Sequence, residues 1–294
     1  VSSTLSATIR VLPRATTAIV DASLSPIIGR HLDEVRRRMD AGRIRVMTSA
    51  GGLAAAALFR AKDSLLSGPA GGVAGAAAVA RRLGFTSIIG FDMGGTSTDV
   101  ARVSGDFEYI FEHRVGDVEI ASPAIAIETV AAGGGSICAL DGPRLSVGPA
   151  SAGAAPGPAC YGCGGPLTVT DVDLLLGRLD PRHMRVPVDT AAARAAAQAL
   201  AEAAAHLAGG AVGELEPFLE GLVEIADEKM ADAIAAVSIR RGHDPAAHAL
   251  LAFGGAGGLH ACSVAERLDM RTIILPRDAG LLSAAGLLAA RPQR

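Results

Sequence analysis

Three strand-like runs joined by tight turns, at residues 87–91, 98–103 and 107–114, precede an alternation of helical and strand patterns that continues to the C-terminus. That order, β-β-β and then α-β-α-β-α, predicts a mixed α/β protein: a ribonuclease H-like layered fold whose mixed sheet is flanked by helices. Composition agrees. The 294 residues are 50% hydrophobic but only 3% aromatic, with 36 Gly, so the core is built from Ala, Val, Leu and Ile packed on glycine backbone. The same balance excludes disorder, coiled coil and collagen.

Ser25-Pro26 reads as a helix start, a capping hydroxyl followed by a proline whose missing N–H costs nothing in the first turn. Ile28, Leu32, Val35 and Met39 follow at helical spacing, and Gly42 ends the helix. A strand over residues 44–48, a Gly51-Gly52 turn, an alanine-rich helix near 53–60 and a glycine loop, Ser67-Gly68-Pro69-Ala70-Gly71-Gly72, lead into a small-residue helix that stops at Leu83. Residues 1–84 are thus expected to form a helical and loop extension. The apolar run 87–91 is a buried central strand, 98–103 returns antiparallel, and beyond Ser104-Gly105-Asp106 the alternation of Phe107, Tyr109, Phe111 and His113 makes a third strand of the meander.

A fourth apolar segment (125–129), a Gly/Pro-rich cassette (145–170) and an alanine-rich helical insert (190–210) come next. A stronger helix runs from Pro217 to about Arg241, with Phe218, Leu222, Ile225, Met230, Ile234 and Val237 as its buried stripe and Gly242 as its end. A strand (249–253), a helix opening at a glycine cluster, a strand (272–275) and a last helix complete residues 85–294 as one lobe.

Lys and Arg total 27 against 30 Asp and Glu, and the net charge of −3 is too near neutral for a surface built on phosphate backbones or anionic lipid. No nucleic-acid partner is expected. Arg36-Arg37-Arg38 lies among Asp33, Glu34 and Asp40 as a solvated helix face. The uncharged stretch 145–170 is broken by prolines and cannot cross a membrane as a helix, and four scattered Cys do not make a disulfide framework. A cytoplasmic, reducing setting is expected. Cys160-Tyr161-Gly162-Cys163 supplies only two of the four ligands of a zinc site and reads as a structural pair of thiols. The chain begins Val1-Ser2-Ser3 without an initiator Met, so a fragment of a longer protein is expected.

The sharpest chemistry is Phe91-Asp92-Met93-Gly94-Gly95-Thr96-Ser97-Thr98-Asp99-Val100. A buried strand delivers an acid into a double-glycine turn, and the return strand begins with a second acid. The two glycines permit positive φ and close approach, so consecutive backbone N–H groups can converge on a phosphate, with Thr96 and Ser97 adding hydroxyl donors. Asp92 and Asp99 then face one pocket as hard oxygen ligands for Mg²⁺, which keeps several waters and needs only one or two carboxylates. No Gly-Lys-Ser/Thr follows, so this is not a P-loop. The second cluster, Gly254-Gly255-Ala256-Gly257, follows a strand and opens a helix; it reads either as backbone approaching a base and ribose or as tight strand-to-helix packing.

With these motifs the sequence resembles the hydantoinase A and 5-oxoprolinase family of the actin-like ATPase superfamily. The resemblance rests on Leu66-Ser67-Gly68-Pro69-Ala70-Gly71-Gly72-Val73, the Asp92 to Asp99 hairpin, Ala131-Ala132-Gly133-Gly134-Gly135-Ser136-Ile137, the cassette from Val147 to Tyr161, Thr168-Val169-Thr170-Asp171, the segment from Ala252 to His260, and Asp278-Ala279-Gly280-Leu281-Leu282-Ser283-Ala284. It implies ATP-driven opening of a cyclic amide such as 5-oxoproline or a hydantoin. Phosphorylation of the ring carbonyl makes an activated imidate-type phosphate that water attacks, so the site needs a phosphate cradle and Mg²⁺ rather than a Ser-His-Asp nucleophile.

Carried onto this chain, the resemblance implies Asp92 and Asp99 for Mg²⁺ and water, Gly94, Gly95, Thr96 and Ser97 for phosphates, Gly254, Gly255, Ala256 and Gly257 for adenosine, and Gly133, Gly134, Gly135 and Ser136 for the cleft. It also implies an N-terminal lobe bearing a first hairpin, absent here since no second Asp-x-Gly-Gly-Thr occurs, and a hydantoinase B-like subunit or fused domain. Residues 1–84 then belong between the lobes. Glu128 stands where relatives carry His or Asn, either as a cation ligand near the substrate or paired with Arg144, and Asp173 stands where relatives carry Asn. The alternatives are the ATP-binding subunit of a ketone carboxylase of the acetone type and a non-catalytic actin-like nucleotide-binding module.

Overall fold

The computed structural model describes residues 2–6, 8–39, 44–184 and 186–293. After a single turn, α1 (Ser2–Leu5), the helix α2 runs over Val11–Arg38 with Pro26 inside it, so Ser25 does not start a helix. The Ser25 hydroxyl instead donates back to the Asp21 carbonyl at 2.6 Å. Upstream of the proline, α2 is fixed by polar anchors: Thr17 Oγ1 accepts the Ala121 N–H at 2.8 Å, and Asp21 Oδ1 accepts the Lys62 N–H at 2.9 Å. Those anchors carry the helix through a residue that would ordinarily break it. The expected terminator, Gly42, lies outside the described residues.

The strands β1 (Arg45–Met47) and β2 (Leu53–Ala55) pair antiparallel around Gly51, whose φ of +78° is left-handed. Residues 53–60 therefore begin as a strand and not as the expected helix. The reason is a second partner: Leu53 N–H donates to the Arg291 carbonyl and Gln293 N–H to the Leu53 carbonyl, both at 2.9 Å, using backbone groups a helix would bond internally. The expected glycine loop 67–72 is likewise the opening of a helix, α3 (Ser67–Arg82).

The central hairpin is β3 (Ser87–Met93) and β4 (Thr98–Ser104), as the pattern predicts. The expected third strand is broken into β5 (Asp106–Phe107), β6 (Tyr109–Ile110) and β7 (His113–Val115). Only β5 pairs with β4; β7 turns back on β8 (Val118–Ile120), and β6 pairs with β9 (Ala124–Ile125). The break comes where the Glu108 carbonyl accepts the Ala126 N–H at 2.8 Å, which draws the chain off β4. The segment β10 (Ile127–Val130) takes the place beside β4.

A hairpin pairs β11 (Ser136–Asp141) with β12 (Arg144–Ser151), and β12 occupies the start of the cassette that the sequence marked only as Gly/Pro-rich. Then α4 (Val169–Leu175) starts from a capping box of Thr168 and Asp171, and α5 (Thr190–Ala208) starts from Asp189, whose side chain accepts the Ala192 N–H. Helix α5 buries Ala193, Ala197 and Ala201 at four-residue intervals. In α6 (Leu215–Val237) the expected Leu222, Met230, Ile234 and Val237 are buried, joined by Leu219, Val223, Ala226 and Asp227, while Phe218 and Ile225 are only half-buried. Gly242, at φ +80°, ends a separate short 3-10 turn, Ile239–Arg241.

The fully buried β13 (Ala249–Phe253), the helix α7 (Gly257–Arg267), the strand β14 (Ile273–Ile274) and α8 (Leu282–Ala289) complete the chain. The largest sheet has the order β10-β4-β3-β13-β14, with β5 added to β4. Its β13–β14 pair is parallel and its β4–β5 pair antiparallel, so it is a mixed sheet in an α/β protein, as expected. Contacts divide the chain into two units, one of residues 1–90, 101–127 and 280–294, the other of residues 91–100 and 128–279. Among the described residues no helix is long and apolar enough to cross a membrane.

Candidate functional site

All the residues singled out as a phosphate and metal site fall in the second unit. Strand β3 ends in Asp92-Met93, the turn Gly94 to Ser97 projects beyond it, and Asp99 is the second residue of β4. The turn is closed by the Gly94 N–H, which donates to the Ser97 carbonyl at 3.0 Å. Neither Gly94 nor Gly95 has a positive φ, which corrects the conformational role expected of them. A Cβ at Gly95 would meet nothing within 4 Å.

What shapes the turn lies behind it. Gly134 N–H donates to the Gly94 carbonyl at 3.0 Å, and Gly135 N–H donates to the Gly95 carbonyl at 2.6 Å. Thr98 Oγ1 is buried and donates to the Ala132 carbonyl at 2.6 Å. With these carbonyls held inward, the N–H groups of Gly95, Thr96 and Ser97 make no hydrogen bond among the described residues. Gly133, Gly134, Gly135 and Ser136 are themselves buried, and glycine is required there: a Cβ at Gly133 would lie 2.7 Å from Ser97 N, and one at Gly135 2.9 Å from the Gly95 oxygen.

The second glycine cluster packs on the same hairpin. Ala256 N–H donates to the Met93 carbonyl at 3.1 Å. A Cβ on Gly254, whose φ is +81°, would come within 2.5 Å of Asp92 Oδ1 and overlap the Met93 carbonyl. A Cβ on Gly257 would stand 3.4 Å from the Phe91 oxygen, whereas one on Gly255 meets nothing within 4 Å. Gly254 and Gly257 thus serve strand-to-helix packing, and Gly255 alone of the three faces open space.

Burial, and then the charge of Asp99, push the Asp92 carboxyl up to about 6. Burial also pushes Asp99 up, partly offset by the hydrogen bond from Thr129 Oγ1 to Asp99 Oδ1 at 2.6 Å. Two desolvated carboxylates at the base of a turn with unspent N–H groups fit a cation shared with an anionic ligand. No group of three or more His, Cys, Asp or Glu forms a cation cage among the described residues, so any ion here would take its remaining ligands from water and phosphate. Glu128 is exposed and pairs with no cation, Arg144 included, among the described residues. Cys160 is buried, Cys163 exposed, and both are free thiols.

Sequence reasoning missed Thr129, which orients Asp99, and a buried ionic cluster. His260 Nδ1 lies 2.7 Å from Asp227 Oδ1 and His260 Nε2 lies 3.2 Å from Asp173 Oδ2. All three side chains are at most 2% exposed. The available signal was Asp227 itself, a charge set in the apolar stripe between Val223 and Met230 of α6.

Comparison with known proteins agrees with this architecture. The hydantoinase/oxoprolinase family profile matches residues 14–294. A 5-oxoprolinase of Pestalotiopsis fici is 40% identical over 293 residues, 95% of this chain and 22% of its own length. The crystal structure of the ATP-dependent caprolactamase of Pseudomonas jessenii superposes with a TM-score of 0.82 at 34% identity, over 95% of this chain and 41% of that one. A nucleotide-free acetone carboxylase structure superposes with a TM-score of 0.80 at 28% identity, over 96% of this chain and 41% of that one. The chain therefore spans less than half the length of each of these proteins.

Proposed function

The chain belongs to the hydantoinase/oxoprolinase family, and on that premise we propose that it is the nucleotide-binding part of an ATP-dependent cyclic-amide hydrolase. The observation that carries this reading is the Asp92 to Asp99 hairpin: its Gly94 and Gly95 carbonyls are tied back by Gly134 and Gly135, and the N–H groups of Gly95, Thr96 and Ser97 are left unspent beside two half-buried acids. In this reading those amides and the Thr96 and Ser97 hydroxyls bind phosphate oxygens, and Asp92 and Asp99 hold Mg²⁺. Thr129 fixes the Asp99 carboxylate by its hydrogen bond. Gly255 and the start of α7 adjoin the nucleoside. ATP supplies the phosphoryl group that activates a ring carbonyl, which is an otherwise poor electrophile.

The protein's contribution is positioning and charge neutralisation, with both acids half-buried and partly desolvated, which strengthens an ion's field there. A first phosphate hairpin would come from an N-terminal lobe of the same protein, and a hydantoinase B-like chain or domain would complete the hydrolase. Four free thiols accord with a cytoplasmic setting. Full-length protein with its partner should hydrolyse ATP in response to 5-oxoproline, a hydantoin or caprolactam, and Asp92→Asn should lower that turnover by at least about 100-fold. Stimulation by bicarbonate and a ketone instead would move the assignment to a carboxylase. No stimulation by any of these would leave a nucleotide-binding module without this chemistry.

A further inference from the structure

The His260 cluster plays no part in the phosphate reading, yet it joins the supports on which the hairpin rests. His260 is in the first turn of α7, and the residue just before that helix, Ala256, holds the Met93 carbonyl. Asp173 is in α4, where the Thr170 N–H and hydroxyl both donate to the Gly134 carbonyl, at 2.7 and 2.8 Å, while Gly134 N–H holds the Gly94 carbonyl. Asp227 extends the tie to α6. We propose that His260, bonded to Asp173 and Asp227, is a positioning residue for the Asp92 to Asp99 hairpin, locking α4 and α7 so that Gly134 and Ala256 grip the turn from two sides. The functional meaning of that lock rests on the phosphate reading, but its existence does not.

The proton decides whether the lock holds. A neutral imidazole can donate from only one ring nitrogen, whereas both nitrogens here face carboxylate oxygens, so both bonds require imidazolium. Burial alone would push the ring down; the hydrogen bonds and charges of Asp173 and Asp227 outweigh it and raise the ring to about 9. Asp171 on α4 and Cys138 on β11 lie close to Asp173, and Arg178, Glu220, Glu224, Glu266 and Arg267 line one pocket with Asp227. Asp171 is saturated by the N–H groups of Ala159, Cys160 and Thr168 and by the Thr168 hydroxyl. The Cys138 thiol, pushed up to about 12 by burial, Asp171 and Asp173, stays neutral. Asp173 Oδ1 is buried and has no hydrogen-bond partner among the described residues, so deprotonation of His260 would leave two buried carboxylates and a ring able to donate to one of them.

The test is hydrogen exchange, read by mass spectrometry on the full-length protein, over peptides spanning 91–100 and 131–136 and corrected for the intrinsic pH dependence of exchange. In the parent protein both peptides should lose protection at least about tenfold between pH 7 and pH 10, while the β11–β12 hairpin does not. His260→Gln should show the faster exchange already at pH 7, and Asp227→Asn should move the midpoint down by about one pH unit and recover full protection below it. Arg182→Gln, at an exposed pair with Asp180, should behave like the parent. Unchanged protection of both peptides in His260→Gln, a loss spread evenly over the chain, or an unmoved midpoint in Asp227→Asn would overturn the lock. Binding of a fluorescent ATP analogue to the same samples separates the two ideas: exchange as expected with no nucleotide bound by the parent protein defeats the phosphate reading and leaves the lock standing.

Discussion

Two of the backbone contacts that glycine makes possible in this chain serve different ends. In the first unit α3 lies against α8: a Cβ at Gly75 would overlap the Leu282 carbonyl oxygen, one at Gly286 would overlap that of Gly71, and one at Gly71 would stand 3.1 Å from the Ser283 oxygen. In the second unit Gly133 and Gly135 press on the turn after β3 with comparable closeness. Beyond its first turn a helix backbone satisfies its own N–H groups, so the α3–α8 contact is chiefly packing. The turn does not, and the contact behind it consumes carbonyls while leaving amides unspent. A close glycine contact points to a ligand only when the partner's polar groups are incompletely used.

The comparison breaks first at Gly133→Ala. Its Cβ would stand 2.7 Å from Ser97 N and 2.8 Å from the Thr96 carbonyl carbon, so the turn must move. The expected loss is at least about 100-fold in ATP affinity by calorimetric titration, roughly 2.8 kcal/mol, together with about 1–3 kcal/mol of stability. Gly286→Ala should cost a similar 1–3 kcal/mol in a denaturant melt but leave nucleotide affinity within about twofold. If the two variants behaved alike, the distinction drawn between the contacts would be wrong.

The acids give a smaller, titratable effect. Asp92, raised from 3.8 to about 6, binds its proton more tightly in the folded chain than in the unfolded one. The metal-free protein is therefore expected to lose stability as pH rises through that window and to level off above it. Binding of Mg²⁺ must expel the same proton, so cation affinity should rise up to about tenfold per pH unit below about 6 and then flatten. A flat profile from pH 4 to 7 would remove Asp92 from the ligand set. The smallest stability change is expected for Gly95→Ala, which has neither a positive φ nor a neighbour within 4 Å, at no more than about 0.5 kcal/mol. A loss of ATP affinity at unaltered stability in that variant would place phosphate against the open side of the turn.

The central strands were legible because a buried strand is a short apolar run wherever it occurs: residues 249–253 match β13 end to end, and the turn after β3 falls where the glycines put it. The regularly spaced helices α5 and α6 were legible on similar terms. What could not be read locally depends on distant partners. Pro26 is carried inside α2 by Thr17 and Asp21, which bond residues 121 and 62. The glycines of α3 become helical because α8, some 200 residues later, needs a surface without Cβ atoms. In the candidate site the acids and the turn could be picked out from sequence, whereas the ties among Gly134, Ala256 and His260 exist only in three dimensions.

The hairpin draws its supports from segments made long after it. Met93 waits for Ala256, about 160 residues downstream, and at a synthesis rate of roughly 5–20 residues per second that interval is on the order of ten to thirty seconds. Throughout most of it, on the ribosome, the turn has only the ties of Gly134 and Gly135, made about 40 residues after it, and lacks the one that Ala256 brings.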